Sequence, residues 1–404
     1  DDTEKLHGRK SELLDAFVYG RFTVADMGLN LRAGRLTQLY GESLFFGSNA
    51  IAGAQSSLDL IKALSVPNSQ FKEILRPTGQ VTAQLQINPS VSVGAYYQLE
   101  WRKNRLPGAG SYFSFADFAD EGGESLILGP RMRVFRGGDI EPSDSGQGGV
   151  QLKIRSGNYE YGVYAAQFHD KMPQFYIYPD TGRYEQVFGE NIRTLGVSVS
   201  TLIGETNVAA EMSYRHDMPL TATGHAVILP ATLRADGDDR AAYPVGNTAH
   251  FNLSVLSVFN GNSIWDAASF IGEFAFNRRL SGSDNRDQLD PSATRDAGAV
   301  QFVFSPEYFQ VMPGLDLQVP VGVGYGLFGR SSVNGVLFPS NGGGNVSVGL
   351  KGEYMKTWQG SLNVTHYYGS SGSVIKYDTA VPELSYQNLH GDRDFISLSI
   401  QRTF

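Results

Sequence analysis

The chain has 404 residues, of which 41% are hydrophobic and 12% aromatic, with 47 glycines, no cysteine and a formal net charge of −8. No apolar run approaches the ~18–20 residues of a membrane-spanning helix, so a helical membrane protein is excluded. No basic stripe offsets the acidic balance, which argues against nucleic acid as a partner.

Alternation of apolar and polar residues recurs along the whole chain, and each run puts its apolar set on one face of a strand. In chain order the runs lie near 11–23, 27–38, 79–87, 91–102, 149–156, 159–169, 192–203, 206–216, 249–259, 266–278, 297–305, 314–328, 344–355, 358–368 and 394–404. The fourth shows the pattern: Val91, Val93, Ala95, Tyr97, Leu99 and Trp101 alternate with Ser92, Gly94, Tyr96, Gln98, Glu100 and Arg102. Short connections at 88–90, 156–158, 204–205, 260–262 and 355–357 alternate with long ones at 103–148, 170–191, 217–248, 279–296, 329–343 and 369–393. Tyr97, Trp101, Tyr214, Tyr325, Tyr354 and Phe404 fall at the ends of their apolar faces. Aromatic girdles sit there in membrane barrels, whereas a soluble sandwich favours the middle of the buried face.

The last run places Ile396, Leu398, Ile400, Arg402 and Phe404 on one face. It resembles the closing strand of Gram-negative outer-membrane β-barrels, although such strands more often carry an aromatic where Arg402 stands. The expectation is an all-β fold, a transmembrane antiparallel β-barrel of about 14–16 strands. It forms one domain over residues 1–404 in the outer membrane of a Gram-negative bacterium, with the short turns and Phe404 on the periplasmic side. Loop parity makes the first and last runs parallel, and an even count then calls for one further strand before Asp1. Pro320 removes a ladder donor from its run and marks a bulge or a gap.

Residues 39–78 break the alternation and read as an inserted plug or constriction with short helices. Ser57 is the expected cap of one helix, with Leu58, Leu60, Ile61 and Leu64 as its apolar stripe; Asn68 caps a second, with Phe71, Ile74 and Leu75, ending at Pro77. Folded inward, Phe45, Phe46, Leu58, Ile61 and Phe71 would line a path for apolar solutes. Folded over the rim, they would only pack the loop. Arg32 and Arg35 beside Glu42 and Glu73 are the candidate ties between plug and wall. Inward charges such as Glu100, Lys153, Arg193, Glu211, Arg215 and Glu273 need water or a partner. Tyr112, Phe113 and Phe115 in one long loop, and Phe175, Tyr176 and Tyr178 in the next, either capture substrate or pack the loops together.

Several blocks resemble the proteobacterial outer-membrane family of unknown function DUF1302: Arg32-Ala33-Gly34-Arg35, Tyr40-Gly41-Glu42-Ser43-Leu44-Phe45, Lys72-Glu73-Ile74-Leu75-Arg76-Pro77 and Gly110-Ser111-Tyr112-Phe113-Ser114. Gly146-Gln147-Gly148-Gly149-Val150 and Tyr161-Gly162-Val163-Tyr164 extend the likeness. The family usually has Trp where Tyr40 stands, and its members carry further amino-terminal sequence. The resemblance implies a barrel tied to the handling of hydrophobic compounds or lipids, without an established catalytic activity.

No G-x-S-x-G elbow, P-loop or H-E-x-x-H occurs, so no catalytic residue, cofactor or metal is expected. The functional expectation is a monomeric channel for passive uptake of small hydrophobic molecules, surrounded by outer-membrane lipid and lipopolysaccharide. A water-filled porin for polar solutes, or the outer-membrane component of a lipid or polymer transport system, are the alternatives.

Overall fold

The computed structural model describes residues 4–8, 12–129, 132–282, 284–376 and 383–403. One 16-stranded sheet dominates it. Its strands are β1 (Ala16–Val24), β2 (Met27–Leu36), β3 (Thr78–Asn88), β4 (Val91–Gln98), β5 (Gly148–Ser156), β6 (Tyr159–Phe168), β7 (Ile192–Ile203) and β8 (Thr206–Pro219). They continue as β9 (Val245–Asn260), β10 (Ala267–Arg279), β11 (Asp296–Met312), β12 (Leu315–Gln318), β13 (Val321–Gly329), β14 (Gly344–Tyr354), β15 (Trp358–Tyr368) and β16 (Phe395–Arg402). Neighbours in this order pair antiparallel, except that β12 and β13 follow one another along the same groove between β11 and β14. All fifteen predicted runs are present in order, the twelfth being split at Val319–Pro320. The ladder is bridged across that split, because Val319 donates to the Pro306 carbonyl at 3.0 Å and Gly349 to that of Pro320 at 2.8 Å. Pro320 therefore interrupts a strand without opening the wall.

Tight turns join the strands at one end and long connections join them at the other. The first turn, Ala25–Asp26, takes positive φ at both positions, 48° and 64°, the sense that matches the twist of the flanking strands. Ser11 and Phe404, where the sequence reading begins its first strand and ends its last, lie outside the described residues. Among the described residues, no ladder pairs β1 with β16.

Side-chain polarity across this wall is inverted relative to a soluble sheet. In β7, Leu195 and Val197 are 62% and 52% exposed, while Thr194 and Ser198 are 3% and 7% exposed. In β8, Met212 points outward at 57%, and Glu211, Ser213 and Arg215 are buried. An outer face of bare Leu, Val and Ile around a buried polar interior is the polarity of a membrane barrel. Outward aromatics gather near strand ends, with Tyr159, Phe309, Tyr354 and Trp358 at the turn end and Tyr97, Tyr214 and Phe328 at the other. Arg402 lies with its guanidinium 5.1 Å from the centre of the Trp358 ring. A cation on an aromatic face can stand in for the aromatic more usual at that site.

Three expectations are corrected. Trp101 is no girdle residue: β4 ends at Gln98, and the indole is buried among the long connections, donating to the Asp170 carbonyl at 3.1 Å. Arg193 shares its parity with Leu195 and Val197 and faces outward at the loop end of β7, where a long side chain reaches polar surroundings. Neither Ser57 nor Asn68 caps a helix. The helix α1 (Leu60–Ser65) is capped by Asp59, which accepts from the Lys62 amide, and the second signal is a 3-10 turn, Phe71–Glu73, preceded by Gln70.

The long connections are not loose. Segments 125–129, 132–136, 174–178, 183–187 and 226–228 build a second, five-stranded sheet over the mouth of the bore. Tyr176, Val187 and Tyr243 form one of its cores and Val134, Phe175 and Tyr184 the other.

Candidate functional site

Residues 37–77, between β2 and β3, fold into the bore. Their own small core is Ala52, Leu58, Phe71 and Ile74, closed by a two-residue ladder of Ser57–Leu58 with Leu75–Arg76. This one segment touches Gln98 on β4, Glu211 on β8, Asn252 on β9, Glu273 on β10 and Ser347 on β14. Strands lie about 4.8 Å apart, so a flat sheet would spread those contacts over some 45 Å. The wall must wrap around the insertion.

Two buried carboxylates fasten it. Glu273 accepts the Ser43 hydroxyl at 2.7 Å and the successive amides of Leu44, Phe45 and Phe46 at 3.0, 2.5 and 2.9 Å. Glu211 accepts the amides of Glu42 at 2.6 Å and Ile51 at 2.9 Å. Successive N–H groups turned toward one point form an anion nest, and charge-assisted bonds to it are strong. Gly41 takes φ +91° directly beside the Glu211 carboxylate, where a Cβ would collide with it. Arg215 answers from the same face of β8, donating to the carbonyls of Ser48 at 2.9 Å and Ala50 at 2.7 Å. Between them Asn49 donates to Asn252 at 2.9 Å and accepts from Asn277 and Asn334, each at 3.1 Å. Asn68, with φ +62°, accepts the Ser347 hydroxyl at 2.8 Å and ties the second lobe to β14.

Above the insertion, on the side of the long connections, lies a cavity of about 450 Å³. Phe45, Phe46, Leu58 and Phe71 rise from the insertion into its wall; Phe115, Phe118 and Phe175 descend from the connections, and Phe338 lies 5.8 Å from Phe46, ring to ring. Its size falls within the range of small-molecule pockets, which are mostly apolar with few polar groups. Here the polar groups include Asp170, Lys171, Arg215 and His225. Burial pulls the Lys171 ammonium down to about 8, with Asp170 acting in the opposite sense.

The predicted path residues divide accordingly. Phe45, Phe46, Leu58 and Phe71 share the cavity, whereas Ile61 turns away into a separate recess beside Leu6, His7, Tyr112 and Phe113. Of the loop aromatics, Phe115 and Phe175 reach the cavity. Tyr176 and Tyr178 are buried in the upper sheet, Tyr176 donating to the Asp236 carbonyl at 2.8 Å. Tyr112 donates to the Asp394 carbonyl at 2.7 Å, and the Phe113 and Phe395 rings meet nearly perpendicular with their centres 5.1 Å apart.

The four expected plug–wall ties do not form one network. Arg35 pairs with Glu100, just past the end of β4, at 2.7 Å, and Arg32 lies over the Phe17 ring. Glu73 accepts the Gln70 amide within its own turn, and only Glu42 crosses to the wall, reaching Lys153 at 3.5 Å. The real fasteners were readable only as inward-facing charges. Their signal was that Glu211 and Glu273 are isolated acids opposite a Gly- and Ser-rich segment dense in free amides.

A family model described as "Protein of unknown function (DUF1302)" matches residues 1–404. No curated protein matches. Among solved structures the chain is similar to OccD3 (OpdP) of Pseudomonas aeruginosa, at 12% identity and a TM-score of 0.39, over 98% of this chain and 79% of that one. It is similar to the outer membrane channel DcaP of Acinetobacter baumannii at 9% identity and 0.31, over 86% and 92% of the two chains. OccK10 (OpdN) of Pseudomonas aeruginosa stands at 9% and 0.29, over 96% and 91%. Likeness at these scores carries no weight for what the bore does.

Proposed function

The chain belongs to the DUF1302 family, and we propose that it is an outer-membrane channel for passive uptake of small hydrophobic molecules. The observation that carries this reading is the apolar cavity floored by Phe45, Phe46, Leu58 and Phe71 inside a wall whose outer face is bare hydrocarbon. A solute leaving water for that cavity gains about 25 cal/mol per Å² of apolar surface buried. The insertion is fastened by hydrogen bonds, and a largely apolar lining would offer an apolar solute many contacts that are individually weak. Conduction requires binding that is favourable enough to enter and weak enough to leave.

Proteoliposome uptake tests it. Phe46→Asp and Phe45→Asp should slow entry of an apolar probe severalfold while the protein still inserts and resists heat like the parent. Undiminished uptake in both variants would rule out the cavity as the route.

A further inference from the structure

The cavity has a charged corner that an apolar solute alone does not explain. Lys171 and Arg215 both line it, at 7% and 3% exposure, and neither enters an ion pair among the described residues. Lys171 donates to the His169 carbonyl at 3.1 Å, which leaves further donors on its ammonium. One terminal nitrogen of Arg215 is committed to Ser48 and Ala50, while its Nε is buried without a partner. Both cations lie against the Phe168 ring, 5.3 and 5.8 Å from its centre. One acid borders the cavity with them. That is Asp170, whose Oδ1 already accepts the amides of Lys171 at 2.7 Å and Met172 at 3.0 Å. Glu211 lies on the same strand face as Arg215, but its two oxygens are bound to Glu42 and Ile51 of the insertion.

Two desolvated cations facing one partly occupied carboxylate leave unused donors and a positive corner in an otherwise apolar space. Buried charge is costly until it is paired. We propose that this corner is an anion seat, so that the cavity takes amphipathic molecules with an apolar body and a single carboxylate. The carboxylate is received by Lys171 and the free edge of Arg215. The body lies among Phe46, Leu58, Phe71 and Phe175. The inference deepens the uptake reading and rests on it.

The test uses the intact chain in lipid nanodiscs, titrated calorimetrically with decanoate, decanol and decyltrimethylammonium, with empty nanodiscs subtracted. At neutral pH decanoate should bind roughly tenfold more tightly than decanol, and the ammonium most weakly. Lys171→Met should abolish the preference for decanoate and leave decanol unchanged, and Lys171→Arg should retain it. Lys171 is chosen because changing Arg215 would also loosen the insertion. Equal affinities for decanoate and decanol overturn the anion seat and leave the apolar route standing, as does a preference that survives Lys171→Met. Absence of binding by all three overturns both.

Discussion

At the scale of single residues the structure turns on charges taken out of water and given partners. Glu273 is the clearest case, with three consecutive amides and a hydroxyl converging on one carboxylate. Removing the carboxylate leaves those donors unsatisfied, and breaking a buried charged constellation costs about 3–5 kcal/mol. Glu273→Ala should therefore raise hydrogen exchange at Leu44–Phe46 by at least a hundredfold, while Glu273→Gln, which keeps acceptor oxygen, should raise it less. Exchange unchanged in both would mean the insertion is held elsewhere. Lys171 carries a pH prediction. Its ammonium is pulled down to about 8 by burial, with Asp170 opposing and Arg215 adding to the depression. Below that value the Lys171 ammonium is charged, and above it that charge is lost while Arg215 keeps its own. Affinity for decanoate, itself an anion throughout, should fall as pH rises from 7 to 9.5, with decanol flat. A decanoate affinity that stays level would show that Lys171 is not the receiving group.

At the scale of elements, strands and insertion follow different rules, and that governs what sequence could reveal. Fifteen runs were legible because a lipid-facing strand repeats every second residue, as Leu195, Val197 and Val199 do. The order of pairing follows from sequence neighbours. The upper sheet was not legible: Gln174–Tyr178 is buried on both faces, so it shows no alternation. Nor was the insertion's fastening, since Ser43 and Glu273 are 230 positions apart and nothing local joins them. Phe45, Phe46, Leu58 and Phe71 come together in one cavity because apolar residues in a Gly-rich stretch need cover. Ile61 falls elsewhere because α1 has only 6 residues, too few for a stripe to fix its facing. The element prediction concerns the bore. Replacing residues 42–72 with a short Gly/Ser linker should give steady open-channel current in planar bilayers where the intact chain passes little. Comparable current from the two would indicate a water-filled path beside the insertion.

At the scale of the molecule, the outer face must meet hydrocarbon and the inner face the insertion. The chain lacks cysteine, so labels can be placed singly without background. The most direct measurement is spin-label accessibility at each position from 194 to 199 on β7, reconstituted in lipid, using oxygen and a water-soluble nickel chelate as relaxants. Oxygen contact should peak at 195, 197 and 199 and collapse at 194, 196 and 198, with the chelate excluded from the outward set. The reverse phase, or no period of two, would contradict a lipid-facing barrel around a filled bore.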